Sequence, residues 1–320
     1  MTTDTTAPTV LGDLSGLISD FERSLKASNK TDRTVKIYGD SARWLLQFLQ
    51  AQGMPTVVER IGREHLEAFT ADQLVRFKPA TASQRYRALA QLFKWLDEEG
   101  EVNSNPFARM KPPKVPESPV PVISEDDLRK LLDACAPGRR PDGVSDDVWR
   151  RHQLMAQRDE TLIRLLVDCG VRCAELVNLR VEDVDRDLQV VHVVGKGRRP
   201  RSVPYGKRSA TALDRYLRLR RRSSQADRPE LWIGAKGRLT DSGLRQMLER
   251  RGEAAGIGHV YPHQFRHTAA HRWMADGGGE SDLMMLLGWR SRQMLNRYGA
   301  SAAAERARDA HRARGLGDRL

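Results

Sequence analysis

A cluster of prolines one third of the way along the chain constrains its fold more than any other feature. Five prolines lie between residues 108 and 122 of a 320-residue chain. A proline has no backbone N–H and a fixed φ, so neither a helix nor a central strand continues through such a segment. We therefore predict an extended linker over residues 108–122. It separates an N-terminal domain (1–107) from a second domain (123–300), which a C-terminal tail (301–320) follows.

The N-terminal domain carries only helical patterns. Apolar residues recur at intervals of three and four in Leu11–Ala27, after Thr31, in Arg63–Val75, and from Thr81 towards Gly100. Thr31 is followed by an aspartate and is a candidate N-cap for the second segment. The first hundred residues therefore predict a domain of four helices.

The second domain combines helices with one clear β-hairpin. Ser124 is a candidate N-cap, and Gly170 is a candidate terminator of a long helix. Residues 188–194 are rich in valine, and a Gly-Lys-Gly turn separates them from a returning segment, 201–205, which is typical of two paired strands. Further helical segments begin near positions 172, 240, 262 and 281. The sequence as a whole predicts a mainly α fold with a small β-sheet.

The charge of the chain favours a polyanionic partner. It has 54 Lys and Arg against 42 Asp and Glu, a formal net charge of +12. Residues 196–222 concentrate this excess, with Asp214 as their only acid. A basic surface can serve solubility alone, but a local concentration of cations suits nucleic acid, because each neutralised phosphate releases condensed counterions.

Targeting and redox signals favour the cytoplasm. No apolar run approaches the roughly 18 residues that a membrane span needs, and the N-terminus lacks the pattern of a signal peptide. The three cysteines, at positions 135, 169 and 173, form no CxxC pair, which fits reduced thiols. We expect a cytoplasmic protein without a membrane partner, associated with the nucleoid if its partner is DNA.

A helix predicted from Pro262 carries the first candidate reactive groups. Proline is favoured at a first helical position, so His263 and Arg266, three residues apart, share a face and pair a proton acceptor with an anion-binding guanidinium. An alternative takes His263, His267 and His271 as metal ligands. The sequence lacks an HExxH glutamate or a carboxylate partner for them, so we predict no metal site.

Four further positions are candidates, although each also fits an ordinary structural role. Arg172 lies at a helix start, where Glu175 can hold its guanidinium or merely form a surface pair. Lys196 lies at the tip of the hairpin, where a lysine is commonly just solvated. Trp289 and Tyr298 lie near the C-terminus, where an aromatic side chain is usually part of a core.

Taken together, these residues resemble a known family. CGVRCAEL (169–176), HQFRHT (263–268) and LLGW (286–289) followed by Tyr298 resemble, in order and spacing, the boxes of the tyrosine recombinases of the phage-integrase family. The N-terminal half resembles the four-helix, SAM-like core-binding domain of Xer-like members, which precedes an α+β catalytic domain. Trp289 is a departure, because most members have histidine there.

The resemblance implies a role for each residue. Tyr298 attacks the scissile phosphate and forms a 3′-phosphotyrosyl link, Arg172 and Arg266 hold the non-bridging oxygens, and Lys196 protonates the departing 5′-oxygen. His263 helps to take the tyrosine proton, Trp289 donates to or packs beside the phosphate, and Glu175 orients its neighbours. Neither ATP nor a metal nor another cofactor is required.

The resemblance also implies partners. We expect a double-stranded recombination site bound by a homotetramer on two DNA sites, with the tail docking on a neighbouring subunit. An accessory protein, a second recombinase, and the choice between integration, excision and dimer resolution stay open. A non-catalytic DNA-binding regulator and a type IB topoisomerase-like activity are the alternatives. The basic residues predicted to contact DNA are Lys26, Arg33, Lys36, Lys78, Arg85, Arg87, Lys94, Arg198, Arg199 and Arg201.

Overall fold

A computed structural model gives the fold of the chain in two compact units, Met1–Ser118 and Pro119–Leu320, which are described separately. The structure describes residues 12–116, 121–195, 199–234, 237–292, 295, 308 and 311–315. No helix within these ranges is both long and apolar enough to cross a membrane.

The N-terminal unit contains four α-helices within its described residues, as the periodicity predicts. They are α1 (Leu14–Ala27), α2 (Asp32–Ala51), α3 (Arg63–Arg76) and α4 (Pro79–Glu98), and a 3₁₀ turn (Val58–Arg60) lies between α2 and α3.

Caps and one buried face per helix define this unit. The side chain of Thr31 accepts a hydrogen bond from the backbone N–H of Thr34, so Thr31 caps α2 as predicted. The helix α4 begins two residues before the predicted Thr81, because Pro79 occupies a first-turn position where its missing N–H is harmless. The apolar faces meet in a core that includes Phe21, Phe69 and Phe93.

The second unit is built around its longest helix. Where the structure describes it, its helices are α5 (Glu125–Asp133), α6 (Asp146–Cys169), α7 (Cys173–Val177), α8 (Lys207–Arg220), α9 (Asp241–Ala254), α10 (Pro262–Ala275) and α11 (Glu280–Leu287). Both α8 and α10 pack against α6.

The helix α6 ends at Gly170, which adopts a left-handed conformation with φ of 56°. A Cβ at position 170 would lie 2.7 Å from a methyl carbon of Leu287. Glycine is therefore required here both for the backbone turn and for the close approach of α11.

The described residues of the second unit also form two small antiparallel sheets. The predicted hairpin is present as β2 (Val190–Val194) and β3 (Pro200–Pro204), and β1 (Val184–Asp185) pairs with its outer edge. A second pair consists of β4 (Ile233–Gly234) and β5 (Gly237–Arg238). The sequence did not indicate β1, β4 or β5, because a two-residue strand is too short to show alternation. The prediction of a mainly α fold with a small β-sheet is confirmed.

The three cysteines are free thiols. Burial raises the pKa of Cys135 and of Cys173 to about 12, so both thiols are protonated at neutral pH. They act as small packing groups rather than as nucleophiles.

Candidate active site

Arg172 is held at the start of α7 by Glu175. Its backbone N–H donates to Glu175 Oε2 at 2.9 Å, and its Nη1 donates to Oε1 at 2.9 Å. This is the reciprocal bond of a capping box, in which the third helical residue reaches back to the cap. The Arg172 side chain is 40% exposed and that of Glu175 only 5%, so a buried carboxylate presents an accessible guanidinium.

Arg201 reaches the same carboxylate from β3. Its Nη1 donates to Glu175 Oε1 at 3.0 Å and its Nη2 to Oε2 at 2.7 Å, while its Nε donates to the carbonyl oxygen of Leu286 at 2.8 Å. All three guanidinium nitrogens are bonded within the protein, and the side chain is 14% exposed. Three of its N–H groups are thus directed into the protein, and contact of Arg201 with DNA stays a prediction.

These bonds decide the charge of Glu175. Burial alone would raise the pKa of its carboxyl group, but the hydrogen bonds from Arg201 and Arg172 outweigh burial and lower the pKa to about 2. The group is a carboxylate at neutral pH. It lies between two guanidiniums, an arrangement in which each buried charge has a partner.

Arg266 lies in the first turns of α10 and is 2% exposed. Its Nη1 donates to the carbonyl of Gly170 at 2.9 Å, and its Nη2 donates to the carbonyl of Leu287 at 2.6 Å. Both acceptors follow from helix geometry, because the last carbonyls of a helix have no partner within it. The residue is therefore fixed between the ends of α6 and α11.

The C-terminal end of α11 brings the two arginine systems together. The consecutive carbonyls of Leu286 and Leu287 accept from Arg201 and Arg266 respectively. A helix C-terminus carries a partial negative charge, which favours cations. Arg172 is thus connected to Arg266 through Glu175, Arg201 and one helix end.

Trp289 follows directly on this helix end. Gly288 caps α11 in a left-handed conformation with φ of 64°. The Trp289 ring is buried with Met274, Leu283 and Leu287, and its centroid lies 5.4 Å from the guanidinium carbon of Arg266. That distance is within range of a cation–π interaction. Trp289 therefore packs in a hydrophobic core, as is usual for a tryptophan, and it also contacts Arg266.

His263 is exposed on α10, and its ring centroid lies 4.3 Å from that of the buried His267. The two rings are edge to face. Among the described residues no group of three His, Cys, Asp or Glu is placed to hold a metal ion. The alternative in which His263, His267 and His271 share a metal is not supported by this arrangement.

Lys196, Arg198 and Tyr298 lie outside the described residues, so their roles stay predictions. The residues on either side of the hairpin tip are described: the N–H of Gly195 donates to the carbonyl of Arg199 at 2.9 Å. A Cβ on Gly195 would lie 3.2 Å from Arg201 Nη1. The strand end that leads to Lys196 therefore packs against the Glu175–Arg201 pair.

A cleft of about 720 Å³ opens beside Arg172. Arg172 and Gly195 line this cleft. Its lining also includes Asn178, Arg180 and His192, which the sequence did not indicate as site residues. The imidazole Nδ1 of His192 is 2.9 Å from the hydroxyl of Ser202 across the hairpin. Arg172 is therefore accessible from this cleft.

The other predicted DNA contacts differ in environment. Arg85 is half-buried, with its guanidinium carbon 3.8 Å from the Trp44 ring centroid and 4.0 Å from that of Phe77, and it also bonds Gln73. Burial lowers the pKa of Arg85 from its ordinary value. Exposed side chains are those of Lys26, Arg33, Lys36, Lys78, Arg87, Lys94 and Arg199. Contact with DNA stays a prediction for Arg85 and for all of these.

Comparisons with known proteins agree on one family. The model of the phage integrase family matches residues 121–305. The tyrosine recombinase XerC of Neisseria gonorrhoeae is 30% identical over 269 residues, which cover 82% of this chain and 83% of that protein. The XerC of Oceanobacillus iheyensis is 28% identical over 270 residues, which cover 82% and 84%.

Solved structures show the same fold. The XerH site-specific recombinase bound to a palindromic difH substrate is 18% identical and superposes with a TM-score of 0.70, over 95% of this chain and 85% of that one. A lambda integrase dimer bound to a COC′ core site is 16% identical, with a TM-score of 0.68 over 90% and 77%.

Proposed function

Because the chain belongs to the phage integrase family, we propose that it is a site-specific DNA recombinase that cleaves and rejoins DNA through Tyr298. The observation that carries the proposal is the connection of Arg172 to Arg266 through Glu175, Arg201 and the end of α11. Two guanidiniums fixed in this way form a preorganised site for the charge that develops on a phosphate in the transition state.

The proposed reaction is a pair of transesterifications. The phenol oxygen of Tyr298 bonds to phosphorus, the 5′-oxygen leaves, and a 3′-phosphotyrosyl link results. Lys196 gives the leaving oxygen its proton, and His263 accepts the proton of the phenol. The 5′-hydroxyl of a second strand then attacks phosphorus and releases the tyrosine. The covalent link conserves the phosphodiester energy, so neither ATP nor a metal takes part.

Trp289 has a place in this scheme although it cannot carry a titrating proton. An indole N–H is a donor only, so Trp289 can offer a hydrogen bond to a phosphate oxygen but no acid–base chemistry. Its ring also packs against Arg266. We therefore assign it to transition-state binding and to the placement of Arg266.

The assembly and the DNA contacts belong to the same proposal. A homotetramer holds two double-stranded sites, with the tail of each chain docked on a neighbour, in the cytoplasm and in association with the nucleoid. The exposed Lys26, Lys36 and Lys78 contact phosphates or base edges, together with the other exposed basic residues named above and Arg85. Phosphate contacts of this kind fix register, whereas base-edge contacts select sequence.

The test begins with the DNA sequence that the protein binds, selected from a pool of random duplexes. A duplex with this sequence and a nick beside the scissile phosphate traps a covalent complex, because the short fragment that carries the 5′-hydroxyl diffuses away. We expect the wild-type protein to form a denaturant-resistant adduct. Tyr298→Phe is the matched control, because it lacks only the phenol oxygen and should bind the duplex without forming an adduct.

Other outcomes separate the alternatives. Binding of the selected duplex with no adduct in the wild-type protein would contradict the proposal and identify a DNA-binding regulator. Relaxation of supercoiled plasmid that lacks the selected sequence would instead identify a topoisomerase.

A further inference from the structure

Arg201 bonds protein acceptors through all three guanidinium nitrogens, and this environment points to a role inside the site. We propose that Arg201 is a positioning residue: it holds Glu175 in place so that Glu175 fixes Arg172 toward the scissile phosphate. The proposal rests on the recombinase function above and adds a residue to its machinery.

The Glu175 carboxylate is shared symmetrically between the two arginines. Its Oε1 accepts from Arg172 Nη1 and Arg201 Nη1 at 2.9 and 3.0 Å. Its Oε2 accepts from the Arg172 N–H and Arg201 Nη2 at 2.9 and 2.7 Å. Arg201 thus binds both oxygens in a fork, which fixes the plane of the carboxylate. The orientation of that plane sets the direction of the Arg172 guanidinium.

The third bond of Arg201 sets the distance between the two phosphate-binding arginines. Its Nε donates to the carbonyl of Leu286, and the next carbonyl along the chain, that of Leu287, accepts from Arg266. One guanidinium therefore ties the carboxylate that holds Arg172 to the helix end that holds Arg266.

Two glycines lie close to the Arg201 guanidinium. Added Cβ atoms on Gly195 and Gly288 would lie 3.2 and 3.4 Å from Arg201 Nη1, so larger residues at these two positions would crowd it. Lysine has all its donors on one nitrogen, so it cannot reproduce the planar fork that spans two carboxylate oxygens on one side and a carbonyl on the other. We therefore expect Arg201→Lys to resemble Arg201→Met rather than the wild-type protein.

The test compares cleavage of three versions of the selected duplex in single turnover. The first has an ordinary scissile phosphate. The second has a methylphosphonate, which lacks the negative charge that Arg172 neutralises. The third has sulfur in place of the bridging 5′-oxygen, and its thiolate leaves without the proton that Lys196 supplies. Arg172→Ala and Lys196→Ala calibrate the second and third versions.

We expect Arg201→Met and Glu175→Gln to slow cleavage of the ordinary duplex on the order of 10²-fold. On the methylphosphonate duplex we expect the loss of rate relative to the wild-type protein to be smaller by about tenfold or more, as for Arg172→Ala. The reason is that this duplex has no negative charge for Arg172 to neutralise. On the sulfur-containing duplex the defect should stay full, unlike that of Lys196→Ala. The ratio of rates between duplexes is independent of the fraction of protein that is folded.

Arg158→Met is the matched control. Arg158 of α6 is also buried and bonds a carboxylate (Asp159) through two nitrogens, but its third nitrogen bonds the carbonyl of Ile233 in β4, away from the candidate site residues. Arg158→Met should lower the melting temperature without changing the ratio of cleavage rates between the three duplexes.

If Arg201→Met slows cleavage of all three duplexes by the same factor, Arg201 has only a structural role and the proposal is overturned. Cleavage by Arg201→Met at the wild-type rate would overturn it as well. Rescue by the sulfur-containing duplex alone would place its effect on the Lys196 hairpin instead. If the wild-type protein cleaves none of the three, the recombinase function itself fails, which is a separate result.

Discussion

The two units of this protein hold an arginine in opposite ways. In the second unit, Arg266 is 2% exposed, and the carbonyls of Gly170 and Leu287 fix its nitrogens. In the N-terminal unit, Arg85 lies between the rings of Trp44 and Phe77, which are themselves 39% and 37% exposed. Hydrogen bonds to the main chain fix both position and direction. Arg85 is instead held by two ring contacts and by one hydrogen bond to the side chain of Gln73.

The difference fits two kinds of phosphate recognition. A transition state needs charge placed to a fraction of an ångström, because donors that must first reorganise lose most of their effect. Recognition of a long duplex needs many contacts of modest strength that tolerate variation in the backbone of DNA. A guanidinium bonded to main-chain carbonyls suits the first task, and a stacked, half-exposed guanidinium suits the second.

The largest effect should come from replacing Arg266, the arginine that main-chain carbonyls hold in place. Arg266→Met should slow cleavage of the selected duplex on the order of 10³-fold, because the developing charge on the phosphate loses a preorganised partner. It should also lower the free energy of unfolding by about 2–4 kcal/mol, since two buried carbonyls lose their donor. Single-turnover cleavage and urea denaturation measure the two effects.

Arg220 supplies the control for this prediction. It is a buried arginine of α8 bonded to main-chain carbonyls, among them those of Ala226 and Glu230, at 3.0 and 2.8 Å. Arg220→Met should destabilise the fold to a similar extent, while the folded fraction cleaves at the wild-type rate. A cleavage rate for Arg266→Met within tenfold of that of Arg220→Met would show that burial, not position, explains Arg266.

The next effect is on acid stability, and it tests the charge that supports the fixed arginines. The folded pKa of Glu175, about 2, lies below its ordinary value of 4.5. Its contribution is therefore fully present above the ordinary pKa and is lost as the pH falls through about 2. Glu175→Gln should lower the free energy of unfolding at pH 6, and its difference from the wild-type protein should narrow steadily between pH 5 and pH 2. A difference that stays constant over this range would mean that the carboxylate charge contributes nothing.

The same contrast separates what sequence predicts from what it does not. Helix periodicity and caps predicted α1, α2 and α3 closely, because each depends on residues within a few positions of one another. The acceptors of Arg266 lie 96 and 21 residues away along the chain. No local pattern indicates them, so the sequence predicted that Arg266 belongs to a site but not how it is fixed.

The inward bonds of Arg201 illustrate the same limit. By composition Arg201 belongs with Arg198 and Arg199 to one basic run. In a strand, alternate residues face the same side. Arg201 is two residues before Val203, which is buried opposite Val191 in the hairpin, so alternation places Arg201 on the inner face. Charge composition alone does not distinguish an inward arginine from an outward one.

A smaller effect is expected from the stacked arginine. Arg85→Met should raise the Kd for the selected duplex about tenfold, the loss of one good contact, while the cleavage rate of bound duplex stays unchanged. Arg76→Met is the control, because Arg76 is exposed, paired with Asp72 and 5.6 Å from the Phe77 ring centroid. Equal losses of affinity for the two variants, measured by fluorescence anisotropy at one salt concentration, would remove any special role for the stack.

The smallest effect isolates the stacking itself. Trp44→Leu leaves Arg85 and its charge in place but removes the ring whose centroid lies 3.8 Å from the guanidinium carbon. A cation–π contact at a partly exposed site contributes about 0.5–1 kcal/mol, so the Kd should rise only about two- to fivefold. In the Arg85→Met background the same substitution should change the Kd less, because the ring then has no guanidinium to orient. An equal effect of Trp44→Leu in both backgrounds would mean that Trp44 contacts DNA on its own account. The Trp44 ring would then not hold Arg85 in place in the way that main-chain hydrogen bonds hold Arg266.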